Sequence, residues 1–392
     1  MAQRTYIWQL RGWPKFHIQE SALSEAIGRA RQEQGKVIGL AKAIGMPEMD
    51  QVIRDIWVDE AMATAAIEGE KLELASVRSS VMRRLGMAND MQVSVSRSAD
   101  GLLDVMQDAT ASYQTALDDD RLFRWQAALF PTGTSGIHRI AVGKYRDSPE
   151  PMQIVSGPIE RATVHYEAPS SANVPREMRQ FLQWFAKTSP QSNSRLKIDG
   201  LVRAALAHLW FETIHPFDDG NGRVGRAIVD RALAQDAATS QRIYGMAGQL
   251  MKERGAYYRQ LGEAQRAELD VTPWIAWFVT QFRLACIASQ NVICAAIEKN
   301  RFWATHATKA INDRQRKVLL LLLDAGSGGF RGGMSASKYV SITRTSKTTA
   351  TRDLSELERG GLVVATGQGR ATRYWVNVPG WKFGESAPAV AD

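Results

Sequence analysis

Apolar residues recur at helical spacing along most of this chain. Leu23, Ile27, Val37 and Leu40 are among the apolar positions of a helix predicted over 21–43. Over 49–68, Val52, Ile56, Met62 and Ile67 share one broad face, and Gly69 is well placed to stop the helix. The helical pattern continues over 101–117 and 123–128, until Pro131, Gly133 and Gly136 mark a loop. The pattern then changes. Short apolar pieces at 152–155 and 162–166 flank Gly157-Pro158, which predicts a β-hairpin. Pro175 suits the first turn of the next helix, with Met178, Phe181, Leu182 and Phe185 inward. A strongly apolar helix follows over 198–214 and ends at Pro216, because the residue before proline is pushed out of the helical region. Another helix starts near Gly222, and more follow to 305. Near the N-terminus, Trp8, Trp13 and Phe16 sit in a polar segment and are expected to pin it to a helix.

The tail differs. Helices are predicted over 314–325, 335–340 and 346–359, the last stopped by Gly360-Gly361. Alternating segments at 362–366 and 372–376 flank Gly367-Gln-Gly369. Three helices followed by a hairpin is the layout of a winged helix. Charge sharpens the point: 310–378 holds eleven Lys/Arg and five Asp/Glu, which is +6 of the chain's net +8. A basic tail domain suits an acidic partner such as DNA.

Composition excludes some classes. With 392 residues, 44% of them hydrophobic, the chain can bury a large core without staples. Its two cysteines, Cys286 and Cys294, stand eight apart in a helical stretch. They are thus about 12 Å apart along the axis, too far for a disulfide. No His/Cys spacing suggests zinc. The N-terminus lacks the apolar stretch of a signal peptide, and the apolar run 318–323 is too short to cross a bilayer. A cytoplasmic protein without membrane insertion is expected.

The chemistry concentrates in His215-Pro-Phe-Asp-Asp-Gly-Asn-Gly-Arg-Val-Gly-Arg226. One helix ends here and another begins. Free N–H groups at the second helix's N-terminus, with Gly220 and Gly222 curling the backbone, make a phosphate cradle. Arg223 and Arg226, three apart in the first turn, share a face and suit a polyphosphate. Asp219 beside phosphates is the usual way Mg²⁺ is held, and His215 at the mouth of the loop can take a proton from a hydroxyl. Phe217 is expected to anchor the loop in the core. His208, seven residues earlier on the same face, reads as a packing residue, and Trp274, Trp277 and Phe278 read as a core stripe.

This run matches the Fic motif, His-Pro-Phe-x-Asp/Glu-Gly-Asn-Gly-Arg-x-x-Arg, at every defined position, and 127–282 resembles the Fic family. Gly143-Lys-Tyr-Arg146 and Tyr257-Tyr258-x-x-Leu261 add to the likeness. The first 90 residues resemble the N-terminal domain of many bacterial Fic proteins, opening with Ile7-Trp-Gln and Trp13-Pro, and the tail resembles the winged helix some of them carry. The resemblance implies a mainly α fold: an N-terminal helical domain over 1–90, a helical catalytic core with a short β-hairpin flap over 91–305, and a winged helix over 311–380.

It further implies a protein adenylyltransferase, using ATP and Mg²⁺, that moves AMP to a Ser, Thr or Tyr hydroxyl of a target protein or of itself. His215 would be the general base and Asp219 the Mg²⁺ ligand. Asp219, Gly220, Asn221, Gly222, Arg223, Val224, Gly225 and Arg226 would bind the nucleotide. Within that set, Asn221 and the glycine amides would meet the α-phosphate region, and the two arginines the β- and γ-phosphates. Ile154, Val155, Ser156 and Gly157 would form the flap, and Tyr257 with Gln265 would lie near the nucleoside. Thr64-Ala-Ala-Ile-Glu68-Gly69 resembles the family's inhibitory motif, with Glu68 pairing with Arg226. Two alternatives use the same residues: a hydrolase that removes AMP, and a DNA-binding regulator with the core as sensor. The candidate partners are the target protein, DNA and a second copy of the chain.

Overall fold

The computed structural model describes residues 5–381, apart from 45, 88–95, 157–162, 267 and 327–328. The chain divides into two compact units, Met1–Gln290 and Asn291–Asp392. The boundary lies inside one long helix, not at 311. The N-terminal helices belong to the first unit.

In that unit, α1 (Glu20–Ala43), α2 (Met46–Ile67) and α3 (Leu74–Arg84) come first. Then α4 (Arg97–Ala111) and α5 (Asp119–Leu129) follow, each opened by a side-chain cap, Ser96 on the N–H of Ala99 and Asp118 on that of Arg121. These caps place both helices several residues earlier than apolar spacing alone suggested. The region read as a plain loop holds a small hairpin, β1 (Thr134–Ser135) with β2 (His138–Arg139).

The predicted flap forms from β3 (Gln153–Ser156) and β4 (Thr163–Glu167), antiparallel with an irregularity between Ile154 and Val155. Gly157 lies outside the described residues. Next come α6 (Val174–Lys187), α7 (Gly200–Ile214), α8 (Asn221–Ala237), α9 (Met246–Lys252) and α10 (Arg254–Ala264). The long α11 (Thr272–Thr305) closes the series.

Every residue of α7 is buried, so it is the axis of the unit. α8 packs along it, and α2 and α4 pack against α8. α6 covers another side of α7, where Trp210 meets Phe181 and Trp184. The N-terminal segment is pinned as expected: Trp13 donates to Glu177 of α6 (2.9 Å) and packs edge-on against Trp210, and Trp8 donates to the Glu167 carbonyl (2.9 Å). Trp274 and Phe278 are fully buried, Trp274 donating to the Ala205 carbonyl of α7 at 2.8 Å.

In the second unit, α12 (Asp313–Asp324), α13 (Ala336–Thr343) and α14 (Lys347–Arg359) precede the antiparallel pair β5 (Val363–Thr366) and β6 (Arg373–Val376). Val318, Leu322, Tyr339, Leu354 and Val376 are among its core residues. Asp353, buried, takes hydrogen bonds from Arg314 and Tyr339 and so ties the three helices together. Among the described residues, no helix is long and apolar enough to cross a membrane.

Candidate active site

The helix before the motif ends at His215, but not in the extended conformation expected ahead of proline. His215 is left-handed (φ 51°, ψ 61°), capping α7 with its N–H on the Phe211 carbonyl. Arg146 holds this unusual turn. Its backbone N–H donates to the Pro216 carbonyl (2.9 Å), and its guanidinium donates to the carbonyls of His215 (2.8 Å) and Pro169 (2.5 Å). Phe217 is fully buried against Tyr145 and Phe211, as its place between polar positions required.

Asn221 is tied into the loop of its own motif. Its side-chain oxygen accepts from the Phe217 N–H (2.9 Å), its amide donates to the Phe217 carbonyl (2.8 Å), and the residue is buried. The side chain thus braces the loop with its oxygen and one amide hydrogen, and the second amide hydrogen remains a donor. The glycines also divide their roles. Gly220 is left-handed (φ 89°) at the head of α8, where only glycine is unstrained. Gly222 and Gly225 lie in regular helix; a Cβ there would collide with the carboxylates of Glu68 and Glu212. They are needed for space, not for backbone freedom. Val224 faces the core, fully buried.

Burial sets the proton affinity of His215. The side chain is 15% exposed, and desolvation, helped by Arg146, pushes its pKa down to about 4. The imidazole is thus neutral near pH 7, as a base must be. Its Nδ1 lies 3.8 Å from the carboxylate of Glu212, one turn back on α7. Burial, reinforced by Glu68 and opposed by Arg226, pushes Glu212 up to about 8, so this carboxyl carries a proton near neutral pH.

Asp219 lies beside the cradle with a 40% exposed side chain. One oxygen accepts from the Gly220 N–H (2.5 Å) and the other from the Ser135 hydroxyl of β1. Ser135 was not anticipated, because the segment around it read as a loop. Asp218 turns away and accepts from the Ala141 N–H at 2.8 Å.

Arg226 is gripped from α2. Its Nε donates to the Thr64 hydroxyl, and its Nη2 lies 2.8 Å from Glu68 and 3.1 Å from the Thr64 carbonyl. Burial opposes the charge, but Glu68 outweighs it and holds the guanidinium above its ordinary range. Nη1, buried beside Gly222, has no partner among the described residues and remains a donor for an anion. Arg223 is covered too. Its Nη1 lies 2.5 Å from Glu70, its Nη2 3.6 Å from Asp219, and its guanidinium stacks over Phe130. Glu70 is the second residue that sequence reasoning missed. The only hint was a second acid two places beyond Glu68, matching a second arginine three places before Arg226.

Tyr257 and Gln265, the two residues expected near a nucleoside, lie in the core. Tyr257 is 2% exposed, with its hydroxyl 2.7 Å from Nε2 of the buried His208. Gln265 is equally buried and donates to the Glu212 carbonyl. Neither presents its side chain to an open surface. Tyr258, next along, is exposed and donates to the Ile67 carbonyl at 3.1 Å, where Arg254 also donates at 3.0 Å. On the flap, Ile154 and Val155 are exposed, while Tyr166 is buried and donates to the Thr213 carbonyl. Nothing among the described residues covers the outer edge of β3 with another strand.

Residues 116–233 match the family model described as Fic/DOC. The chain carries a Fic domain. Residues 6–87 match a second model, a domain of unknown function numbered DUF4172. A probable protein adenylyltransferase of Aquifex aeolicus is 28% identical over 106 residues, 27% of this chain and 28% of that protein. The match thus spans about a quarter of that relative's length. Among solved structures, a Fic family protein of Desulfovibrio desulfuricans superposes with a TM-score of 0.51 at 19% identity, over 93% of this chain and 98% of that one. A Fic-domain signalling protein of Bacteroides thetaiotaomicron gives a TM-score of 0.50 at 14% identity, over 68% and 97%. At these identities the likeness is one of fold: mainly helical, with small strand pairs. The Fic domain ends within α8, so its motif lies at the match's C-terminal edge.

Proposed function

We propose that this chain transfers AMP from ATP to a Ser, Thr or Tyr hydroxyl of a target protein, and that Glu68 restrains the transfer. The observation that carries the reading is the pairing of a buried, neutral His215 with a helix N-terminus bearing Arg223 and Arg226. In this mechanism the target's hydroxyl oxygen attacks the α-phosphorus, its proton passes to the neutral imidazole, and pyrophosphate leaves. The first-turn N–H groups of α8 and the free Nη1 of Arg226 stabilise phosphate charge. Most of the acceleration is then positioning and electrostatics. The open edge of β3, at Ile154 and Val155, would align a target segment by strand pairing.

The donor set fits a hard cation. Asp219 is exposed enough to reach it, the Ser135 hydroxyl adds a second oxygen nearby, and no cluster of three ligating side chains is present among the described residues. Mg²⁺ would thus be held by Asp219 together with phosphate oxygens, and would supply charge neutralisation on the departing pyrophosphate.

One observation favours a second reading. With Glu68 seated on Arg226, the resting site holds a carboxylate beside the cradle. Such a carboxylate could orient water to remove AMP from a modified target. For the second unit, we infer a winged helix that binds duplex DNA. Lys347 and Arg352 lie on the exposed face of α14, capped by Ser346, with Arg370 and Arg373 in the hairpin. A cytoplasmic setting accords with the two unpaired cysteines.

The test is incubation of the purified chain with Mg²⁺, cell lysate and ATP labelled on either the α- or the γ-phosphate. Covalent label in protein from the α position alone, lost in His215→Ala, is expected. Transfer from the γ position, or equal labelling by His215→Ala, would overturn the reading.

A further inference from the structure

Both guanidiniums of the cradle are already occupied by carboxylates from one short turn. α2 ends in a closed turn: Glu70 N–H bonds to the Ala65 carbonyl (2.9 Å), Gly69 N–H to the Ala66 carbonyl (3.0 Å), and Gly69 is left-handed (φ 78°). From α10, Arg254 and Tyr258 clasp the Ile67 carbonyl just before it. The turn is therefore set on both sides, and it delivers Glu68 and Glu70 together. Glu68 meets Arg226 at 2.8 Å; Glu70 meets Arg223 at 2.5 Å.

We propose that Glu70 is a second competing carboxylate, which with Glu68 decides how many phosphates a bound nucleotide can carry. This rests on the reading of the motif as a nucleotide site. An ordinary surface ion pair would leave the cation free to bind elsewhere, but Arg223 has no such freedom. Its side chain is 5% exposed, one face lies on Phe130, and its other nitrogen is near Asp219. The Nε of Arg223 has no partner among the described residues but is buried, so a phosphate that engages the Nη1 end of the guanidinium must take the place of Glu70. That displacement is cheap. The Glu70 side chain is 40% exposed, and it lines an open cavity of about 330 Å³ that Arg97 also lines. The carboxylate can swing into that space and towards a second guanidinium. In the resting site, then, a nucleotide with one phosphate meets only the α8 N-terminus. Beyond the free Nη1 of Arg226, each further phosphate that takes a guanidinium nitrogen must displace a carboxylate, Glu68 from Arg226 or Glu70 from Arg223.

The experiment is calorimetric titration of the full chain with AMP and with an ATP analogue bearing a methylene between the α- and β-phosphorus. Wild type, Glu70→Gln, Glu70→Ala, Glu68→Gln and the double Gln variant are compared, and each is first checked for an unchanged melting temperature. Glu70→Gln and Glu70→Ala should tighten the analogue roughly three- to tenfold, the scale of removing a partly exposed competing ion pair. AMP affinity should stay within about twofold, and the double variant should exceed either single one. An unchanged analogue affinity in both Glu70 variants, while Glu68→Gln tightens it, would show that Glu68 alone competes. Equal tightening of AMP and analogue would show that Glu70 acts through general charge and not through Arg223. If neither nucleotide binds any variant, the nucleotide-site reading falls, and the role of Glu70 falls with it.

Discussion

The carboxylate of Glu68 lies 2.8 Å from Nη2 of Arg226, joining the end of α2 to the second turn of α8. The same guanidinium takes Thr64 on its Nε, so one face of α2 grips it at two points one turn apart. Glu68→Gly should therefore raise AMP incorporation by roughly tenfold or more, and in turnover more than in ATP affinity, because the in-line pose is what the carboxylate obstructs. Adding Arg226→Ala should remove most of the gain. Labelled-AMP incorporation by all three forms at equal concentration decides it. Equal or lower incorporation by Glu68→Gly would show that α2 does not restrain the site.

His215→Ala should abolish transfer, a loss on the order of a hundredfold or more, without lowering the melting temperature. The pH dependence follows from the depressed pKa. A group held at about 4 is already in its base form at pH 5, so the rate should not fall between pH 7 and pH 5.5 on account of this residue. A wild-type rate that falls with a limb near pH 6.5 would show the imidazole to be ordinary and solvated.

Asp219→Ala should raise the Mg²⁺ needed for half-maximal transfer by about tenfold or more. Asp218 offers no substitute, since its carboxylate is turned onto the Ala141 N–H. Ser135→Ala, which removes the hydroxyl from Asp219, should shift the same titration by a smaller factor. An unchanged titration for Asp219→Ala would exclude this carboxylate as the ligand.

Glu212 makes stability depend on pH. Its folded pKa, about 8, lies above the unfolded value near 4.5. The folded chain therefore keeps a proton that the unfolded chain has released. The stability tied to this group is full below pH 4.5 and declines as pH rises towards 8. Glu212→Gln carries no such proton. Its melting temperature should gain on that of wild type between pH 5 and 8, and parallel melting temperatures for the two proteins over that range would refute the assignment.

Duplex DNA binding should weaken steeply with salt and map to Lys347, Arg352, Arg370 and Arg373. Changing Lys347 and Arg352 together to Ala should reduce the mobility shift about tenfold at moderate salt. A shift that survives deletion of the residues after Asn312 would assign any DNA binding to another part of the chain.

Much of this site could be read from the residues in order. The spacing of Arg223 and Arg226 and the glycines at a helix start are local patterns, whereas Glu68 was singled out only by resemblance to the family's inhibitory motif. The helices were likewise legible, because amphipathic spacing within one segment reports which face must be buried; their starts slipped where a cap, such as Asp118, outweighed apolar spacing.

What the sequence determined by itself was the mainly helical fold and the Fic motif. Tertiary structure alone decided the rest. Glu70 reaches Arg223, and Ser135 reaches Asp219, across stretches of chain with no periodic signal linking them. Asn221 braces its own loop by accepting from and donating to the Phe217 backbone. Tyr257 is withdrawn into the core by His208. The proton affinities of His215 and Glu212 come chiefly from desolvation. Desolvation is a property of everything packed around a group, and no single segment of the chain carries it.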